Sequence, residues 1–592
     1  MSALFAGNEL PQRWRGRERF VVLDTDFGLG QRFLAAWQAW RDDPQRCERF
    51  VFIAIEPRVP TRAELRVAHC DSPWPVLADA LLDAWPVPTP DLHRLSFEAG
   101  QVELLLAPGE AMAWLRELVA EVDAFCLGGE MPADGVRWCK ALARLAAPGA
   151  TLAAESIADE LRAHLTSAGF ALRPAHALTL ARFAPAFAAR RAPSRGRTRG
   201  TIDRHALIVG AGLAGCAAAW ALAEQGWRST LLERRPEIAT EASGNPGGLF
   251  HGIVNAQDGV HARFNRAAAI AAHGAVQAAI DLGIAGSASG LLRLESSFDV
   301  PRMTSVLQHL GLPPAYVQAL SASEASERAG IALTQPCWFY PGGGWVHPPG
   351  LAQTFLDRAG DAAELRTGVD ANRLEHGEAG WRVLDARGQL CAEAPTVVLA
   401  NAGDALRLLD APGWPIESIR GQVSIARASR LASAGLPIAG SGYLLPAIDG
   451  TVMFGASAQA GDLDPAVRDA DHALNLAQLA RLLDHESGLQ PAELAGRTAW
   501  RCSAADRLPV IGAVPDPTAQ GARLEQPRFV PRLPGLYVFS ALGSRGITWS
   551  ALGAQVLASC VTGAPAPVGA SLLDAIDPAR FVSRQVRRAT RG

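Results

Sequence analysis

The sequence predicts an α/β protein made of two modules in series. Three observations predict it. Near residue 24 and again near residue 210, an apolar strand runs into a glycine turn, a helix and a second strand that ends in an acid. A stretch poor in bulky apolar residues and rich in arginine, 184–204, separates the two patterns. Far downstream, at 535–559, strand, glycine loop and helix recur within the second module.

At 592 residues the chain is too long for one core, and 49% hydrophobic content supplies enough apolar surface for several. A net charge of −3 argues against bulk electrostatic attraction to nucleic acid, though not against a local basic patch. The nine cysteines form no C-x-x-C pair, so zinc-ligand spacing is absent and no metal is expected. Their dispersal suits reduced thiols in the cytoplasm. MSALFAGNELPQRWRGRERF lacks the apolar core of a signal peptide, and no uncharged apolar run has spanning length, so no membrane association is expected.

In the first module RFVVL (19–23) reads as a buried strand. DFGLGQRFLAAWQAWRDD (26–43) follows as a glycine turn and a helix, with Phe33, Leu34, Trp37 and Trp40 at helical spacing. FVFIAIE (50–56), VELLLAP (102–108) and VDAFCLGG (122–129) read as further strands, with helical patterns between and after them. That alternation predicts a parallel sheet covered by helices on both faces, closing near residue 180. APAFAARRAPSRGRTRGTIDR (184–204) carries Arg190, Arg191, Arg195, Arg197, Arg199 and Arg204. It reads as a linker, either a solvated tether or a phosphate contact.

In the second module Gly210, Gly212 and Gly215 form G-x-G-x-x-G between a strand and a helix. The first allows the tight turn, the second lets backbone approach a pyrophosphate, and the third lets helix and strand pack closely. The helix N-terminus offers free N–H groups to that anion. Glu233 ends the next strand and can accept hydrogen bonds from ribose, with Arg234 beside it. EASGNPGGLF (241–250) brings Ser243, Gly244, Asn245, Gly248 and Leu249; the downstream loop brings Gly543, Ser544, Gly546 and Ile547. Two glycine loops at opposite ends of one module, closing on one cofactor, point to FAD rather than NAD.

These stretches, with GGGWVHPPGL (342–351), VVLANAGDA (397–405), ESIRGQVS (417–424), GYLLPA (442–447) and DRLPVIGAVPD (506–516), occur in order. Together they resemble FAD-dependent amine oxidases of the glycine-oxidase/D-amino-acid-oxidase type. With its N-terminal α/β half, the whole chain resembles the bifunctional tRNA 5-methylaminomethyl-2-thiouridine biosynthesis family. The resemblance implies an N-terminal Rossmann-like methyltransferase fold (1–184), a basic linker (185–204) and an FAD-dependent oxidase (205–592). The oxidase would have FAD-binding segments at about 205–290, 390–410 and 500–565, with an inserted antiparallel-sheet substrate domain. It implies oxidative removal of the carboxymethyl group from 5-carboxymethylaminomethyl(-2-thio)uridine in the anticodon loop of tRNA, with loss of glyoxylate. Methylation of the resulting amine by S-adenosylmethionine would follow. A cytoplasmic monomer is expected. The alternative is a small-molecule glycine or secondary-amine oxidase with a non-catalytic N-terminal domain.

A glycine-like substrate carries a carboxylate, so an arginine fork is the expected anchor. By resemblance Arg501 and Arg545 are the catalytic candidates. Tyr443 and His347 lie in matching motifs as pocket or packing residues; Arg420 and Gln422 either contact substrate or order a loop. In the first module DTDFGLGQRFL (24–34) resembles the family's S-adenosylmethionine loop, keeping Gly28 and Gly30, and Glu56 fits the acid that grips ribose. Asp24 replaces a glutamate and Asp26 a glycine of that pattern. At 123–138 Gly128 stands where the family has its catalytic aspartate. Two readings follow: a decayed methyltransferase, or substitution by another carboxylate such as Glu130 or Asp134.

Overall fold

The computed structural model describes residues 3–129, 134–155, 157–174, 177–186, 203–378, 380–431, 433–521 and 523–589. Most of the basic linker, with Arg190, Arg191, Arg195, Arg197 and Arg199, and the candidate Glu130 lie outside the described residues. The chain forms two compact units, one of Met1–Ala192 with Gly563–Leu573, the other of Pro193–Thr562 with Asp574–Gly592.

The first unit holds an eight-stranded sheet: β1 (Arg19–Asp24), β2 (Arg49–Glu56), β3 (His93–Phe97), β4 (Val102–Pro108), β5 (Val122–Leu127), β6 (Ala146–Ala154), β7 (Phe170–Arg173) and β8 (Thr179–Phe183). Their spatial order is β3-β4-β2-β1-β5-β6-β8-β7. The central run β4-β2-β1-β5-β6 is parallel. Both edges are antiparallel, a departure from the all-parallel expectation. The cause is loop length: residues 98–101 and 174–178 are too few for a crossover, so each edge closes as a hairpin. Val21 and Leu23 enter one core, Phe20 and Val22 the other, so both faces of β1 are buried. Phe33, Leu34, Trp37 and Trp40 of the helix Gln31–Asp42 pack into the second of these cores.

The second unit's first sheet contains β9 (His205–Val209), β10 (Arg228–Glu233), β11 (Ala363–Thr367), β12 (Thr396–Leu399), β13 (Val510–Pro515) and β14 (Arg532–Ser540), ordered β11-β10-β9-β12-β14-β13. All neighbours are parallel except β13 on β14. A separate nine-stranded sheet is antiparallel except where Leu291–Leu294 pairs with Ile438–Ala439. Its longest ladder joins Ile416–Arg427 to Ala495–Ala504 and sets Arg501 opposite Ile419.

That ladder also decides Arg420 and Gln422. Arg420 is fully buried; its Nη1 donates to Asp471 at 2.6 Å and its Nε to the Asp464 carbonyl at 2.6 Å. Gln422 accepts from the Arg468 N–H at 2.8 Å. Both side chains order the 462–468 loop. Asp471→Ala would strand a buried guanidinium, a loss of about 3–5 kcal/mol. The expected outcome is a clear fall in the unfolding midpoint measured by denaturant titration.

Candidate active site

Gly210 leaves β9 at φ +99°, and a Cβ there would lie 2.9 Å from the Ala400 carbonyl oxygen. A Cβ on Gly215 would sit 1.8 Å from the Gly210 carbonyl oxygen, so helix Leu213–Glu224 packs against the turn only because residue 215 has no side chain. Glu233, buried at the end of β10, accepts from the Ala211 N–H at 2.8 Å and the Arg235 N–H at 2.9 Å. Each carboxylate oxygen keeps a lone pair for a ribose hydroxyl. Arg234 reaches Glu241 at 3.3 Å.

Ser243 accepts from the Leu213 N–H at 3.1 Å, which fastens the second loop to the start of the helix next to Gly212. Arg497 secures that loop by donating to Asn245 Oδ1 at 2.8 Å and to the Thr240 and Glu241 carbonyls. Gly244 is a glycine because a Cβ would meet the Arg497 guanidinium. Gly248 packs on Ile547, whose Cδ1 is 2.6 Å from where a Cβ would be, so the two distant glycine loops meet. Leu249 pairs with Trp345 in a small antiparallel sheet. Gly546 opens the helix Gly546–Thr562.

These loops enclose a cavity of about 900 Å³, within the size range of cofactor sites. Gly210, Gly212, Glu233, Arg234, Ser243, Asn245, Gly248, Leu249, Gly543, Ser544, Gly546 and Ile547 line it, together with Arg501 and Arg545. Gly215 and Gly244 stand behind the lining and make it possible. The side-chain-free turn, the helix N-terminus and the acid at the strand end fit an adenine dinucleotide. Glu233→Ala removes two charge-assisted acceptors and the ribose contact; about 1.5–3 kcal/mol predicts roughly 10–150-fold weaker FAD retention. Flavin absorbance after desalting measures it.

Arg501 and Arg545, the two catalytic candidates, both line this cavity. Arg501 donates to the Ser457 carbonyl at 2.6 Å, and Gly421 makes its room: a Cβ there would lie 2.7 Å from Arg501 Nη2. Tyr443 lines the same cavity. Among the described residues Arg545 has no acidic partner. Burial and the neighbouring Arg293 push its guanidinium down to about 10, so it remains a cation at neutral pH. Burial, Arg545 and Arg293 together hold His251 well below the usual histidine range, so that wall presents a neutral imidazole. Sequence reasoning missed Arg293, which the register of Leu291–Leu294 brings into the cavity wall. His347 is a helix cap: its Nδ1 accepts from the Gly350 N–H at 3.2 Å at the start of the helix Pro348–Ala359.

The FAD dependent oxidoreductase (DAO) family model matches residues 205–560. The tRNA 5-methylaminomethyl-2-thiouridine biosynthesis bifunctional protein MnmC of Methylibium petroleiphilum is 47% identical to this chain, covering 97% of it and 92% of the relative. The chain belongs to the MnmC family. The MnmC protein of Burkholderia orbicola is 42% identical, covering 98% of this chain and 92% of its own length. Among solved structures, fructosamine oxidase (Amadoriase II) from Aspergillus fumigatus shares the fold, with a TM-score of 0.50 at 15% identity over 65% of this chain and 92% of that one. FAD is therefore the cofactor of the chain's second unit.

The first unit carries a glycine loop of its own at a strand end. The Gly28 N–H donates to Glu56 Oε2 at 2.8 Å and the Arg58 N–H to Glu56 Oε1 at 3.2 Å, so the acid ending β2 meets the glycine loop after β1. Gly30 precedes the helix Gln31–Asp42. This donor set fits a nucleoside, with Glu56 lone pairs left for ribose. Arg32 grips buried Asp24 through Nε at 2.7 Å and Nη2 at 3.1 Å, yet burial still pushes the Asp24 carboxyl up to about 6. Asp134 is committed to the N-cap of the helix Gly135–Leu145, where it accepts from the Arg137 N–H at 3.0 Å. Among the described residues, no helix is long and apolar enough to cross a membrane.

Proposed function

We propose that this chain modifies the wobble uridine of tRNA in two steps. The second unit removes the carboxymethyl group of 5-carboxymethylaminomethyl(-2-thio)uridine to give the 5-aminomethyl form. The first unit then methylates that amine with S-adenosylmethionine, giving 5-methylaminomethyl(-2-thio)uridine. The observation that carries the reading is 47% identity to an MnmC protein over 97% of this chain, together with two guanidiniums of the second unit, Arg501 and Arg545, lining one FAD-sized cavity.

Bound FAD supplies a hydride acceptor. The chain's residues do the rest. Arg545 and Arg501 bind the carboxylate and so orient the adjacent methylene, while the apolar cavity wall excludes water from it. His251, held neutral, leaves the cationic charge of that wall to the arginines. The anticodon loop of tRNA is the proposed partner. Phosphate attraction is local rather than global, since the net charge is −3 while Arg587 and Arg588 stand exposed on the helix Arg580–Ala589. The chain is proposed to work as a cytoplasmic monomer.

The test uses purified holoprotein with hypomodified tRNA, with and without S-adenosylmethionine, and nucleoside mass spectrometry. Loss of the carboxymethyl mass without the methyl donor, then gain of one methyl with it, is the expected result. Turnover of free glycine or sarcosine alone would replace this reading with a small-molecule oxidase.

A further inference from the structure

In the first unit the strand order reverses between β1 and β5. An open α/β sheet binds its ligands in the crevice beyond the carboxyl ends of the strands at such a point. The carboxyl ends there carry Asp24, the last residue of β1, Asp26 just beyond it, and Gly128 and Gly129 just beyond β5. Thr25 Oγ1 donates to the Gly128 carbonyl at 3.0 Å, tying the two segments together. A Cβ on Gly128 would lie 3.0 Å from Asp26 Oδ2 and 3.1 Å from Asp26 Cβ. The Asp26 side chain therefore crowds position 128, and a side chain there would have to push it aside by a few tenths of an ångström.

Asp26 also remains available. Its side chain is 43% exposed, and Arg32 reaches only Oδ2, at 3.1 Å. Among the described residues Oδ1 accepts no hydrogen bond, whereas both oxygens of neighbouring Asp24 are engaged. The sequence places an aspartate at 26 and a glycine at 128, the two positions that touch. Asp134 is occupied as a helix cap.

We propose that Asp26 is the carboxylate that receives the acceptor amine at these strand ends, and that Gly128 leaves it room to hold that position. This rests on the methylation half of the proposed function. An alkylamine arrives at neutral pH as an ammonium ion and attacks a methylsulfonium carbon only after losing a proton. Asp26 accepts the N–H hydrogen bond and that proton. The nitrogen lone pair then forms the N–CH3 bond as the S–CH3 bond breaks. The bonding pair stays on sulfur as a thioether, and the proton passes from Asp26 to water.

The experiment compares the full-length holoprotein with Asp26→Asn, Gly128→Asp and the double Asp26→Gly/Gly128→Asp. Three quantities are read: methylation of aminomethyl tRNA, calorimetric binding of S-adenosylhomocysteine, and the unfolding midpoint of the first unit. Asp26→Asn should methylate about 100-fold more slowly with thioether binding and midpoint unchanged. Gly128→Asp alone should lower the midpoint, because its Cβ meets Asp26 and adds a like charge. The double variant should recover the midpoint and methylate at least tenfold faster than either single variant. Unchanged methylation by Asp26→Asn, an unshifted midpoint in Gly128→Asp, or a double variant no better than the singles would each overturn the proposal while leaving methylation by this chain intact. A native chain that removes the carboxymethyl group yet never methylates would overturn the proposal and the methylation reading together.

Discussion

Arg545→Met lowers kcat/KM for carboxymethyl removal by roughly 100–1,000-fold while the protein stays yellow. The magnitude follows from what the guanidinium lacks. It stands half-buried in the cavity wall with no carboxylate partner among the described residues, and Arg293 nearby adds a second positive charge. On the proposed function, a substrate carboxylate supplies the counter-ion. Truncating one member of such a desolvated pair costs about 3–4 kcal/mol, which converts to that range. Methionine keeps the aliphatic bulk and leaves the loop backbone intact: the Arg545 N–H bonds the Leu542 carbonyl and its own carbonyl accepts from Trp549. Flavin retention should therefore be native. Lysine should recover only part of the loss, since it replaces a planar two-pronged donor by a point charge. Steady-state rates on hypomodified tRNA beside the flavin spectrum decide the matter. Native kinetics in Arg545→Met would remove the residue from the carboxylate site.

The same arginines show what a sequence exposes and what it hides. Arg545 was legible because it interrupts a glycine loop between an apolar strand and a helix, where packing has no use for a cation. Arg293 was not, because L-L-R-L looks like any edge of a strand and enters the cavity wall only through pairing with residues 337–340 and 438–439. Arg420 sits in a matching motif, yet three-dimensional pairing with Asp471 makes it a girder of the loop. β1, β2, β4 and β5 were visible because burial on both faces writes a continuous apolar run. β3, β7 and β8 lie at or beside sheet edges, where that pressure lapses. The return of residues 563–573 to the first unit depends on side-chain contacts such as Ser571 with Glu117 and leaves no periodic trace.

Gly215→Ala is the substitution expected to empty the flavin site. The added methyl would be 1.8 Å from the Gly210 carbonyl oxygen, a backbone atom of the turn itself. Neither partner is the tip of a flexible chain, so relief requires the helix Leu213–Glu224 to move off β9. That movement turns the Leu213 N–H away from Ser243 and opens the N-terminal cradle meant for the pyrophosphate. Overpacking against rigid backbone costs roughly 3 kcal/mol or more, so FAD affinity falls by at least about 100-fold and the protein purifies colourless. Gly274→Ala supplies the control. It is exposed within the helix Val260–Asp281, and its Cβ would meet nothing within 4 Å, so flavin content should be native. The first unit does not share this turn, so S-adenosylhomocysteine binding should survive in both variants. A yellow, fully active Gly215→Ala protein would mean that the strand, turn and helix from β9 to β10 do not cradle the pyrophosphate.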